Sequence, residues 1–102
     1  MAVCKLKFTP EAVKDITQAA EYYEECQKGL GKRFRSEVKR KLVLVKEIPR
    51  IYTLRYGEVR FALIDIFPYS IHFSINEKGQ VVQVHAVLCQ FENPETSWKN
   101  FP

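Results

Sequence analysis

Apolar and polar residues alternate from the start of the chain. Cys4, Leu6 and Phe8 point one way and Val3, Lys5 and Lys7 the other, the pattern of a half-buried strand. Thr9-Pro10-Glu11 then reads as a helix start. Thr9 can cap, Pro10 suits the first helical position and Glu11 suits the positive end of the helix dipole. Ala12, Val13, Ile16, Ala19, Ala20, Tyr23 and Cys26 follow in one stripe at helical spacing. Gly29 is expected to end this helix with a left-handed C-cap. The short linker Gly29-Leu30-Gly31 turns the next helix back antiparallel. Its inward stripe is Phe34, Val38, Leu42 and Val45, and Pro49 stops it.

A connector runs from Arg50 to Glu58, and beyond it the period falls from 3.6 to 2. Val59, Phe61 and Leu63 alternate with Arg60 and Ala62. Tyr69, Ile71, Phe73 and Ile75 alternate with Ser70, His72 and Ser74, and Val82, Val84, Ala86 and Leu88 with Gln83, His85 and Cys89. Turns at Phe67-Pro68 and Lys78-Gly79 join these into a three-stranded meander. Matching apolar faces sets Ile75 opposite Val82, Phe73 opposite Val84, Ile71 opposite Ala86 and Phe61 opposite Phe73. The other face then gathers Arg60, His72, Ser74, Gln83 and His85, with His72 opposite His85. The predicted fold class is α+β in the order β-α-α-β-β-β. A helical hairpin covers one face of a small, mainly antiparallel sheet and leaves the other face open.

The chain is 102 residues long, the size of one domain, with 46% apolar residues. Residues 92–102 form a short polar tail around Trp98. No apolar run approaches a membrane span, and residues 1–5 offer no export signal, so a cytoplasmic protein is expected. Three cysteines without C-x-x-C spacing fit a reducing compartment, not a disulfide framework. Two histidines without a neighbouring carboxylate or thiolate leave a metal site incomplete, and no cofactor is expected.

Charge changes the picture more than composition does. The net charge is +4, but the first half holds twelve basic and seven acidic residues and the second half four and five. Most of the excess lies between Lys32 and Arg50, on the outside of the second helix. Val43 and Leu44 interrupt that basic surface. Aliphatic residues there favour a protein partner over nucleic acid, whose bases stack on aromatic side chains.

Tyr22-Tyr23 late in the first helix, Gly-Leu-Gly at the helical turn and a proline-stopped basic helix form one half of a familiar set. Val59-Arg60, then Phe67-Pro68-Tyr69-Ser70-Ile71, and Asn93-Pro94-Glu95 followed by Trp98 form the other. In this order, from about Leu6 to Trp98, the chain resembles the RelE/ParE superfamily of bacterial toxins from toxin–antitoxin pairs. The resemblance implies two alternative activities. RelE-type members are ribosome-dependent nucleases that cut mRNA with basic, tyrosine or histidine side chains on the open sheet face. ParE-type members bind and poison DNA gyrase. Both kinds are neutralised by an antitoxin.

Arg60 matches a basic position of the second predicted strand. Ala62 stands where a further lysine is often found, and Ser70 where an arginine often follows the tyrosine. Cys89-Gln90-Phe91-Glu92-Asn93-Pro94 lacks the arginines usual after the last strand. Stabilising the charge added at phosphorus needs more cations than Arg60 supplies, which favours the ParE-like reading. Under it, Arg60, His72, His85 and Trp98 are candidate target contacts, and Arg35, Lys39, Val43 and Leu44 candidate antitoxin contacts. Under the nuclease alternative, with ribosome and mRNA as partners, Arg60, His72 and His85 are the catalytic candidates, since histidine moves protons near neutral pH. A non-toxic binding module is the third reading.

Overall fold

The computed structural model describes residues 5–76, 78 and 80–90. The expectations for Cys4, Gly79, Trp98 and the tail 92–102 lie outside them. The elements are β1 (Lys5–Phe8), α1 (Pro10–Cys26), α2 (Leu30–Glu47), β2 (Leu54–Tyr56), β3 (Val59–Leu63), β4 (Tyr69–Asn76) and β5 (Val81–Cys89), with a 3₁₀ turn at Pro49–Ile51. Two helices lie against a five-stranded sheet of order β1-β5-β4-β3-β2, in which β1 runs parallel to β5 and the other pairs are antiparallel.

Thr9 caps α1 as its position predicts, accepting from the Ala12 backbone N–H at 3.1 Å. Its hydroxyl also donates to the His85 carbonyl at 3.0 Å, which ties the helix start to β5. The helix ends earlier than expected, at Cys26, and Gly29, at φ 90°, is the N-cap of α2 rather than the C-cap of α1. Glu24 explains the change. Its carboxylate accepts from the backbone N–H groups of Gly29 at 3.0 Å and Gly31 at 3.1 Å, satisfying donors that α2 itself cannot.

The stripe of α2 is buried as predicted: Phe34, Val38, Leu42 and Val45. That of α1 is narrower than predicted. It buries Ala12, Ala19 and Ala20 and partly buries Ile16 and Tyr23, while Val13 and Cys26 are exposed. The sheet contributes Ala62, Ile71, Phe73, Val82, Val84 and Val87 to the same core.

Two parts of the sheet depart from the expected register. Ile75 faces Val82, Ser74 faces Gln83 and Phe73 faces Val84, as predicted. One step further, His72 faces Ala86 and Ile71 faces Val87. His85 and Ala86 together oppose one step of β4, a β-bulge, so Val87 and not Ala86 continues the buried row. In β3 the phase is the reverse of that expected. Ala62 pairs with Ile71, Arg60 with Phe73 and Phe61 with His72. Four of the five β3 residues are apolar, so alternation does not choose a face. The small Ala62, 2% exposed, fits beneath the helices. The connector holds β2, whose three exposed residues are too few to show a period. No helix among the described residues is long and apolar enough to cross a membrane.

Candidate functional site on the open sheet face

Ser70, His72 and Ser74 alternate on β4 away from the helices. His72 Nε2 lies 3.0 Å from Ser70 Oγ, and that hydroxyl donates to the Leu88 carbonyl at 3.5 Å. His85 Nε2 lies 2.7 Å from Ser74 Oγ. The two histidines therefore share the open face, but they do not form the expected cross-strand pair. The bulge puts Ala86 opposite His72, and each histidine takes its own serine.

Arg60 is not part of this patch. The phase of β3 sends it to the helix side, where Nη1 donates to the Tyr52 carbonyl at 2.7 Å and to the Arg50 carbonyl at 3.4 Å. There it ties down the chain that enters β2. For the same reason Ala62 cannot occupy a lysine-like position on the open face. Phe61 and Leu63 take the outward positions instead.

These outward residues build a concave site. A cavity of about 270 Å³ is lined by Arg55, Tyr56, Phe61, His72, Leu88 and Gln90, among others. The Tyr56 and Phe61 rings each lie 6.4 Å from the imidazole of His72, at interplanar angles of 24° and 28°. The Arg55 guanidinium sits 5.6 Å above the Phe61 ring, within cation–π range. His72 is 4% exposed, and among the described residues its Nδ1 has no hydrogen-bond partner. Burial, with the nearby Arg55 charge adding to it, lowers the His72 pKa below its ordinary 6.5 and keeps the ring neutral near pH 7. Arg55, Tyr56 and Phe61 were not among the sequence candidates. The only signal for them was the apolar–basic–aromatic run Leu54-Arg55-Tyr56 inside an apparent connector.

On the opposite layer, Arg35, Lys39, Val43 and Leu44 are exposed along α2, as the charge pattern predicts. Arg33 and Arg40 flank Glu37 at 3.4 and 3.2 Å, and Arg40 also pairs with Asp65. Among the described residues Arg35 and Lys39 have no acidic partner, so the unneutralised charge lies on their side of the helix. No cluster of three or more potential metal ligands occurs among the described residues.

The profile of the ParE toxin of the type II toxin-antitoxin system, parDE, matches residues 6–94. The chain belongs to that family. It is therefore a toxin of the type II toxin–antitoxin class. The same fold appears in the chromosomal ParDE toxin–antitoxin system of P. aeruginosa, at TM-score 0.72 and 16% identity over 83% of this chain and 94% of that one. The isolated E. coli RelE toxin is similar at TM-score 0.67 and 24% identity, over 96% and 95% of the two chains. The intact E. coli RelBE toxin-antitoxin complex is similar at TM-score 0.63 and 25% identity, over 84% and 94%. No curated protein matches the sequence significantly. Family membership gives the open face and the basic helix a common context: one protein with two separate charged and apolar surfaces.

Proposed function

We propose that this toxin acts in the ParE manner, by binding DNA gyrase through the open sheet face, and that a cognate antitoxin holds it inactive from the basic face of α2. The observation that carries the reading is the poverty of cations on the open face among the described residues. Arg60 bonds to backbone carbonyls on the other side of the sheet, and His72 is buried and held neutral. Cleaving RNA needs positive charge placed around the reacting phosphate, and among the described residues Arg55 is the one cation lining the cavity. A shaped, aromatic-walled cavity with a single rim charge suits a protein surface better. ParDE and RelBE, the structures this fold resembles, are toxin–antitoxin systems, which supports an antitoxin partner for this chain too.

The test is expression without the antitoxin, paired with a supercoiling assay on purified gyrase. DNA breaks, filamentation and loss of supercoiling activity are expected. Rapid mRNA cleavage on translating ribosomes with gyrase unaffected would overturn the reading in favour of the nuclease. An absence of growth defect would favour a non-toxic binding module.

A further inference from the structure

The cavity on the open face contains an unmet requirement. His72 is almost wholly buried, yet among the described residues its Nδ1 has no partner. Ser70 Oγ lies 3.0 Å from Nε2 and 3.5 Å from the Leu88 carbonyl; in the tautomer in which the hydroxyl proton goes to that carbonyl, the imidazole donates from Nε2 to Ser70 Oγ and Nδ1 is a bare acceptor. Buried polar atoms in folded proteins are nearly always satisfied, so in that tautomer the nitrogen calls for a donor beyond the described residues.

The surroundings define that donor. Tyr56 and Phe61 provide flat apolar walls, and Leu63 and Leu88 close the remaining sides. The volume, about 270 Å³, lies just under the range that holds a drug-sized ligand, and it suits one ring system. Among the described residues no carboxylate lines the cavity, and exposed Arg55 gives its rim a positive charge. The matching occupant is flat and apolar, carries an N–H or O–H, and stands beside a negative charge.

We propose that this cavity is a socket for one aromatic side chain of the protein target, a tryptophan or tyrosine flanked by a carboxylate residue. The inference rests on the reading that the open face binds a protein. The ring enters against Tyr56, Phe61 and His72, its N–H or O–H donates to His72 Nδ1, and the neighbouring carboxylate meets Arg55. Buried aromatic anchors in such pockets carry a large share of interface affinity. A nucleotide base fits less well, because its phosphates need cations along the same face and Arg60 is on the other side.

The test uses the full-length toxin and a blocked tripeptide of aspartate, tryptophan and glutamate, followed through the ring-nitrogen resonances of His72. The tripeptide is expected to shift Nδ1 and to bind at least tenfold more tightly than its counterpart with alanine in place of tryptophan. Arg55→Gln, on an exposed residue, is expected to weaken binding severalfold with the fold intact by circular dichroism. Phe61→Ala is expected to abolish it. Equal binding of the two peptides, or tighter binding of adenosine or guanosine monophosphate, overturns the proposal. So does movement of the His72 resonances on Trp98→Ala in the free toxin, which would make the chain's own tail the occupant. Peptide binding without gyrase inhibition leaves the socket standing with a different protein target. Gyrase inhibition without selective peptide binding overturns the socket alone.

Discussion

Three residues are held in states that their chemistry resists. His72 is neutral because it is buried, with Arg55 reinforcing the effect. The unfolded chain accepts a proton near the ordinary 6.5, and the folded chain refuses it until lower pH. Folding is therefore fully supported above about pH 6.5 and loses support as pH falls toward the folded-state value, by at most about 1.4 kcal/mol per pH unit. Asp15 acts in the opposite sense. Burial raises its carboxyl pKa above 3.8, against a hydrogen bond from the Val87 N–H, so its contribution favours the fold in acid and is lost as pH rises through the folded value. Urea denaturation at pH 7.5 and 5.5 should show the wild type losing stability in acid and His72→Phe losing less. Ile66 is strained differently. It is 65% exposed and sits at φ 76°, left-handed backbone that a β-branched residue adopts at a cost of about 1–2 kcal/mol. Asparagine tolerates that conformation. Ile66→Asn should therefore stabilise the protein by about 0.5–1 kcal/mol, seen as a higher Tm.

At the scale of elements, the helical hairpin was legible because its signals agree. Thr9-Pro10, the α2 stripe and Pro49 all mark the boundaries that form. The hairpin turn also depends on close approach. A Cβ on Gly31 would collide with the Ala20 carbonyl and press on the Glu24 side chain that caps α2. Gly31→Ala should cost about 2 kcal/mol or more, measured by chemical denaturation, because neither the backbone nor the cap can move aside freely. The sheet was only half legible. Alternation located β4 and the lower part of β5. It failed at β3, where nearly every residue is apolar, and at His85, where one extra residue reverses the phase of everything beyond it. Those two slips account for the misplaced part of the candidate site. They moved Arg60 out, brought Phe61 in and separated the two histidines. Ala62→Lys tests the corrected phase directly. An outward position would tolerate lysine, whereas the observed inward one predicts a loss of several kcal/mol and an expression defect.

Across the whole molecule, charge and shape are segregated between two faces. The net +4 resides largely on α2, while among the described residues the cavity on the far side of the sheet has Arg55 as its one lining cation. A partner drawn by the helix therefore need not compete for the cavity. Arg33 and Arg40 are engaged with Glu37 and Asp65, which leaves Arg35 and Lys39, together with Lys32 and Lys46, with the field available to an acidic partner. Exposed Val43 and Leu44 stand beside them to provide apolar contact once it arrives. Steering by such charges acts mainly on association and weakens with salt, because exposed charges are screened beyond about 8 Å at physiological ionic strength. If the antitoxin docks here, Arg35→Glu with Lys39→Glu should slow association at least tenfold at low salt, with a smaller difference at 0.5 M salt. If the sheet face binds gyrase as proposed, the same double variant should match the wild type in gyrase inhibition, because it leaves that face untouched. Surface plasmon resonance against the co-expressed antitoxin, alongside the supercoiling assay, measures both. Loss of gyrase inhibition together with antitoxin binding would instead place the two partners on one surface, and the division of labour between helix and sheet would be wrong.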